Sequence, residues 1–315
     1  MWYRVQMLSE SLLSITFAIL LSFSATAQTI KPDLRSITVI TEPNATVWID
    51  DMRFGTTDDK GRLRIASVPP GIRSLRVRAQ GFSEVRRSLP ATVKGDVTVA
   101  LTRTTDEAEL AYQAAEVATT IDREKAIAEY QRAVSLRANF PAAHLGLARM
   151  YSETGDHEKA LKAVRTAKRL KPGYAEASAV EARLLKETGG DDKAIAMFKR
   201  AITEGHGFQP EAYTGLGLLY KDRAEESGGG GDYDGEKTNY AEAAKNLGIA
   251  VKQLGSAPDA IVVMQLLGLI YERQEKFTEA IRLYEEFLRL FPDSSEAGAV
   301  ESFIVQIKKQ MAQPK

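Results

Sequence analysis

The chain has 315 residues, with 42 Lys+Arg against 42 Asp+Glu and no cysteine. That length suits two domains or one elongated array with a substantial core. The even charge balance makes no electrostatic case for nucleic acid or an anionic membrane, and the missing cysteines exclude disulfides, thiolate metal sites and a cysteine nucleophile.

The first segment reads as an address. Arg4 precedes Leu12 to Phe23, an apolar run of about 12 residues that is shorter than the ~20 needed to span a bilayer. Ala25 and Ala27 put small residues where a signal peptidase inspects the chain, so 1–27 is expected to be a signal peptide and Gln28 the mature N-terminus. No cysteine follows, which excludes a lipoprotein anchor; retention as an uncleaved anchor is the alternative. The Ala-x-Ala-Gln ending has a bacterial form, so the expected location is the periplasm or the outside of the cell. No later segment could cross a membrane. Residues 28–35 read as a linker.

From 36 to 103 the pattern has period two. Alternating or β-rich stretches fall at Ser36–Thr41, Ala45–Asp50, Leu63–Ala66, Arg73–Ala79, Glu84–Leu89 and Asp96–Leu101, separated by Gly, Pro, Asn and Asp clusters that include Asp51 to Gly55. Short strands at this spacing predict a small antiparallel sandwich. Arg76 and Arg78 alternate onto one face, expected to be solvated, while Trp48 and Phe82 suit half-buried packing. Carbohydrate stacking is the alternative role for the two aromatics.

The run Glu42-Pro43-Asn44-Ala45-Thr46-Val47-Trp48-Ile49-Asp50-Asp51, then Gly55-Thr56-Thr57, Val68-Pro69-Pro70-Gly71 and Val77 to Phe82, resembles the PEGA domain. This is a bacterial extracytoplasmic β module whose signature turn carries Gly where this chain has Asn44. Thr57 to Phe82 is also similar to the carboxypeptidase regulatory-like domain, a related sandwich. Either resemblance implies a non-catalytic envelope or surface module.

From about Glu107 to Pro292 the sequence repeats with a period of about 34 residues, each copy holding two amphipathic helical patterns. The copy from Pro141 has Leu147, Ala148, Tyr151, Ala160, Ala167 and Pro172; the last has Leu267, Gly268, Tyr271, Phe277, Ala280, Tyr284 and Pro292. The unit resembles the tetratricopeptide repeat (TPR), and about five copies fill 104–293. Small residues at fixed positions let helices approach and aromatics fill the gaps, so these residues are scaffold. The fourth copy carries an insertion at 225–239 with four consecutive glycines, expected to be a mobile loop. Residues 294–312 are expected to form a capping helix, with Val300, Phe303, Ile304 and Ile307 as its apolar stripe. The expected class is thus multidomain: a small all-β sandwich followed by an all-α solenoid of helix-turn-helix repeats.

The resemblance to TPR arrays implies a concave groove lined by the first helix of each pair. Carried onto this chain, its positions are Leu145, Arg149, Ser152 and Glu153, then Glu176, Ala179, Arg183 and Lys186, then Thr214, Leu218 and Lys221, then Gln265 and Leu269. Arg149, Arg183, Lys186 and Lys221 would form a cationic ladder for a protein or peptide partner, specifically an acidic segment or a C-terminal carboxylate. His144, His157 and His206 have no metal-ligand spacing, and there is no nucleophile elbow, P-loop or dinucleotide fingerprint. No enzyme, metal or cofactor is expected. The functional expectation is an exported adaptor of the bacterial cell envelope; the alternative is a cell-wall or polysaccharide binder acting through a basic β module, with the array as spacer.

Overall fold

The computed structural model describes residues 35–312; the expected signal peptide, most of the linker and the last three residues lie outside them. The β region has seven strands: β1 Ile37–Ile40, β2 Thr46–Ile49, β3 Met52–Thr56, β4 Arg62–Ile65, β5 Arg73–Arg78, β6 Val85–Leu89 and β7 Gly95–Thr98. They form two sheets, ordered β4-β1-β7 and β3-β2-β5-β6. Period-two alternation turns Ile37, Val39, Val47, Ile49, Leu75 and Val77 inward, all nearly fully buried.

Two expectations need correction. Asp51 to Gly55 is not a turn. The turn is only Asp50 and Asp51, at φ 49° and 66°, and Met52 pairs directly with Ile49. Asp tolerates the left-handed region better than most side chains, so this two-residue hairpin closes without glycine. Its second strand is visible in the pattern, with Met52 and Phe54 buried and Arg53 exposed. Nor is the module wholly antiparallel: β7 runs parallel to β1, because the chain reaches it by crossing over from the other sheet.

The helices form five pairs: α1 Glu107–Ala118 with α2 Arg123–Leu136, α3 Pro141–Glu153 with α4 His157–Leu170, α5 Ala175–Glu187 with α6 Asp191–Glu204, α7 Pro210–Gly229 with α8 Tyr233–Leu254, and α9 Ala260–Arg273 with α10 Phe277–Leu290. α11, Ala297–Met311, follows them. The recurring small residues sit where backbones meet: Ala126, Ala133, Ala160, Ala167, Ala194 and Ala201 have no exposed surface. A Cβ on Gly146 would stand 2.4 Å from the Tyr130 ring, so the absence of a side chain there lets consecutive repeats interlock. Asp122, Asp156 and Asp232 cap their helices by accepting backbone N–H bonds from Lys125, Lys159 and Gly235.

The insertion is helical rather than a loop. It lengthens α7 and α8 to 20 and 22 residues, and only 230–232 turn. Ion pairs flank the glycines on both sides: Glu225 holds Lys221 one turn back at 2.8 Å, and Glu236 reaches Arg273 of α9 at 3.0 Å. In α11 the expected stripe buries Val300, Ile304 and Ile307, whereas Phe303 is 40% exposed and leans on Tyr284.

The β module is built into the array. One buried cluster runs from its sheets through Leu254, Ala257 and Val263 to α10 and α11. At the other side Gly81 N donates to Gln113 Oε1 of α1 (2.9 Å), and Gln113 Nε2 donates to the Phe82 carbonyl (2.8 Å). Arg76 and Arg78 therefore face protein, not solvent: α1 covers that face of the sheet, and Arg78 is only 7% exposed. The Arg78 guanidinium stacks on Tyr112 at 4.4 Å and pairs with Glu84, Glu109 and Glu116. Arg76 covers the Trp48 ring at 4.3 Å, so Trp48 packs and offers no open platform.

Candidate functional site

The β2–β3 hairpin reaches the wall formed by the first helices of the repeats, and open space lies on either side of it. Helices α5, α7 and α9 with the hairpin enclose a chamber of about 730 Å³; α1, α3 and α5 with β2 and β5 enclose a smaller one of about 250 Å³. Trp48, Asp51, Arg149 and Glu176 line both.

The hairpin tip is held by its own module. Asp50 Oδ1 accepts from Ser74 N at 2.7 Å, and Arg73 reaches its Oδ2 at 3.0 Å. Asp51 receives Arg86 at 2.7 Å and Arg76 at 3.4 Å. Burial would raise the Asp51 carboxyl, but Arg76 and Arg86 together outweigh it and hold the group below its ordinary range. Glu176, at the start of α5, moves the other way: burial first and the Asp51 charge second push it up, against Arg149 and Arg76.

Arg149, Arg183, Lys186 and Leu218 come together on the wall of the larger chamber. Yet the cations are already engaged. Glu211, on α7, takes Arg149 on one oxygen at 3.4 Å and Arg183 on the other at 3.7 Å. Lys186 is bound by Asp222 at 2.7 Å. Burial works against the charge of Arg149, but Glu211 and Glu176 hold it above its ordinary value.

Glu176 and Thr214 join them there, and the remaining groove positions fall elsewhere. Lys221 and Gln265 line neither chamber, Lys221 being bound by Glu225. Leu145 borders the smaller chamber but is nearly fully buried, and Ala179 has no exposed surface, because packing between repeats claims both. Glu153 borders the smaller chamber and pairs with Arg123 at 3.0 Å. The larger chamber gains residues that sequence reasoning missed: Met52 and Arg53 from the hairpin, Glu211 from α7, and Asp259, Val262 and Val263 at the start of α9. Val262 was detectable as an apolar residue at an exposed helix position; it is 59% exposed. Among the described residues no group of three or more His, Asp or Glu could hold a metal, and no helix is long and apolar enough to cross a membrane.

Tetratricopeptide repeats occur in the helical array. Two models of that family match, at residues 122–184 and 262–294, within α2 to α5 and α9 to α10. Among solved structures the chain is similar to the APC/C hetero-tetramer Cut9–Hcn1 at 16% identity and TM-score 0.51, covering 67% of this chain and 38% of that one. It is similar to yeast Tom70 at 19% identity and TM-score 0.52, covering 66% and 41%. The chain thus spans about two fifths of those relatives, and at this identity the likeness concerns the fold alone. No curated protein matches it in sequence.

Proposed function

We propose that this chain is a non-enzymatic interaction scaffold that works outside the cytoplasm in a bacterial cell envelope and receives a segment of a partner protein in the larger chamber. Tetratricopeptide-repeat proteins are generally protein–protein interaction scaffolds. The observation that carries the reading is the chamber itself: about 730 Å³, with Leu218, Val262 and Val263 as an apolar patch and charged groups in the same lining. The envelope part rests on the sequence of residues 1–27 and on the PEGA-like strands. The β module acts as a fixed wall of the cleft. A glycan-binding role for its basic face has less support, since Arg76 and Arg78 are committed to Trp48, α1 and the hairpin.

The test is affinity purification of partners from the native host with the wild-type chain, Leu218→Asp and the control Val305→Asp on α11. The reading expects Leu218→Asp to lose the partner that both others keep. Equal recovery by all three would contradict it. Cell fractionation checks the location, and a cytoplasmic protein would remove the envelope claim.

A further inference from the structure

Resting on that reading, we infer that the larger chamber selects a cationic segment: a Lys or Arg side chain of the partner next to an aliphatic one. This reverses the acidic partner expected from the ladder of Arg149, Arg183, Lys186 and Lys221.

Glu211 uses both oxygens on Arg149 and Arg183, Glu187 adds a second contact to Arg183 at 3.8 Å, and Lys186 and Lys221 are tied to Asp222 and Glu225. An incoming carboxylate would have to displace one of these. Glu176 and Asp259 line the same chamber, and neither carboxylate has a hydrogen bond or ion pair to any described residue. Asp259 begins α9 without capping it. Among the described residues of the wall, Arg53 is the cation without a hydrogen bond or ion pair; it is exposed, and its charge favours the ionised form of Asp259. Two carboxylates thus line the space, Glu176 half-buried and Asp259 exposed, and an incoming cation would meet them without displacing an existing ion pair.

Both carboxyls are pushed above their ordinary values, each by burial first, then by Asp51 for Glu176 and by Glu211 for Asp259. Leu218, Val262 and Val263 lie in the same wall and would seat the neighbouring aliphatic side chain.

The experiment uses the full chain and matched fluorescein-labelled peptides whose centre reads Leu-Xaa-Leu, with Xaa as Lys, Arg, Gln or Glu, followed by fluorescence anisotropy. The Lys and Arg peptides should bind roughly tenfold to a hundredfold tighter than the Glu peptide. That preference should fall in Glu176→Gln and Asp259→Asn and with added salt, while the Gln peptide is unaffected. These variants change one atom type, and thermal melts verify that they fold. Tighter binding of the Glu peptide, or a preference that survives both substitutions, overturns the inference and leaves the proposed function standing. If no peptide binds, or if Leu218→Asp changes nothing, the chamber is not the partner's seat and both readings fall.

Discussion

Ser67 and Ser256, 189 residues apart in the chain, share three hydrogen bonds: Ser67 N donates to Ser256 Oγ at 2.9 Å, while Ser256 N and Oγ donate to the Ser67 carbonyl at 3.3 and 3.2 Å. They fasten the loop after β4 to the turn between α8 and α9. With Gln113 at the opposite side, they make the β module part of the array rather than a bead on a linker.

That seam predicts the effect of Gly255→Ala. Gly255 sits at φ 59°, and a Cβ there would lie 2.7 Å from the Ser67 carbonyl oxygen. The substitution should cost about 1–3 kcal/mol, seen as a lower midpoint in urea and faster proteolysis between the module and α8.

A pair of glycine substitutions separates contact from propensity. Gly146→Ala drives a methyl into the Tyr130 ring and should destabilise by about 2 kcal/mol or more, whereas a Cβ on Gly248 meets nothing within 4 Å. Gly248→Ala should therefore stabilise α8 by about 0.5–1 kcal/mol. Thermal melts of both variants decide it; equal effects would contradict the packing account.

Arg78→Met keeps the stem but removes the charge that Glu84, Glu109 and Glu116 surround. Leaving those carboxylates without their cation should cost about 3–5 kcal/mol, measured by urea unfolding near neutral pH. A neutral outcome would show that the contact between α1 and the sheet does not depend on this cluster.

The two carboxylates at the hairpin predict opposite pH dependence. Asp51 is held below its ordinary 3.8, so it contributes stability that is present above that value and lost as pH falls through its lowered folded value. Asp51→Asn, which keeps left-handed tolerance, should destabilise at neutral pH by about 2 kcal/mol, with the difference vanishing in acid. Glu176 is raised above 4.5, so its charge opposes folding once pH exceeds that value. Glu176→Gln should stabilise at neutral pH, and the gain should fade as pH drops toward 4.5. Melts from acid to neutral pH give both slopes.

Much of this was legible in the sequence because it repeats locally. The alanines of each helix pair, the aromatic at Tyr130 or Tyr284 and the alternation of Leu75 and Val77 announce themselves within one element. The face covering Arg76 and Arg78 was hidden, because the covering residue Tyr112 belongs to another element and alternation says which residues share a face, not what lies over it. The insertion misled for a related reason: glycines at 228–231 favour a loop in isolation, while α7 continues to Gly229 and α8 begins at Tyr233, with Ala224 and Tyr240 in the common core. At the site, sequence placed Arg149, Arg183, Lys186 and Leu218 on one wall. It could not show that Glu211 already holds two of those cations, or that the Asp50–Asp51 hairpin would stand beside them.

The central claim is that the β module is seated against the array and so shapes the cleft. Because the chain has no cysteine, the paired variant Ser67→Cys with Ser256→Cys, treated with a short bismaleimide, tests it most directly. The account predicts near-complete intramolecular bridging, absent from either single variant. Thiols that each react with monofunctional maleimide yet never bridge would contradict it.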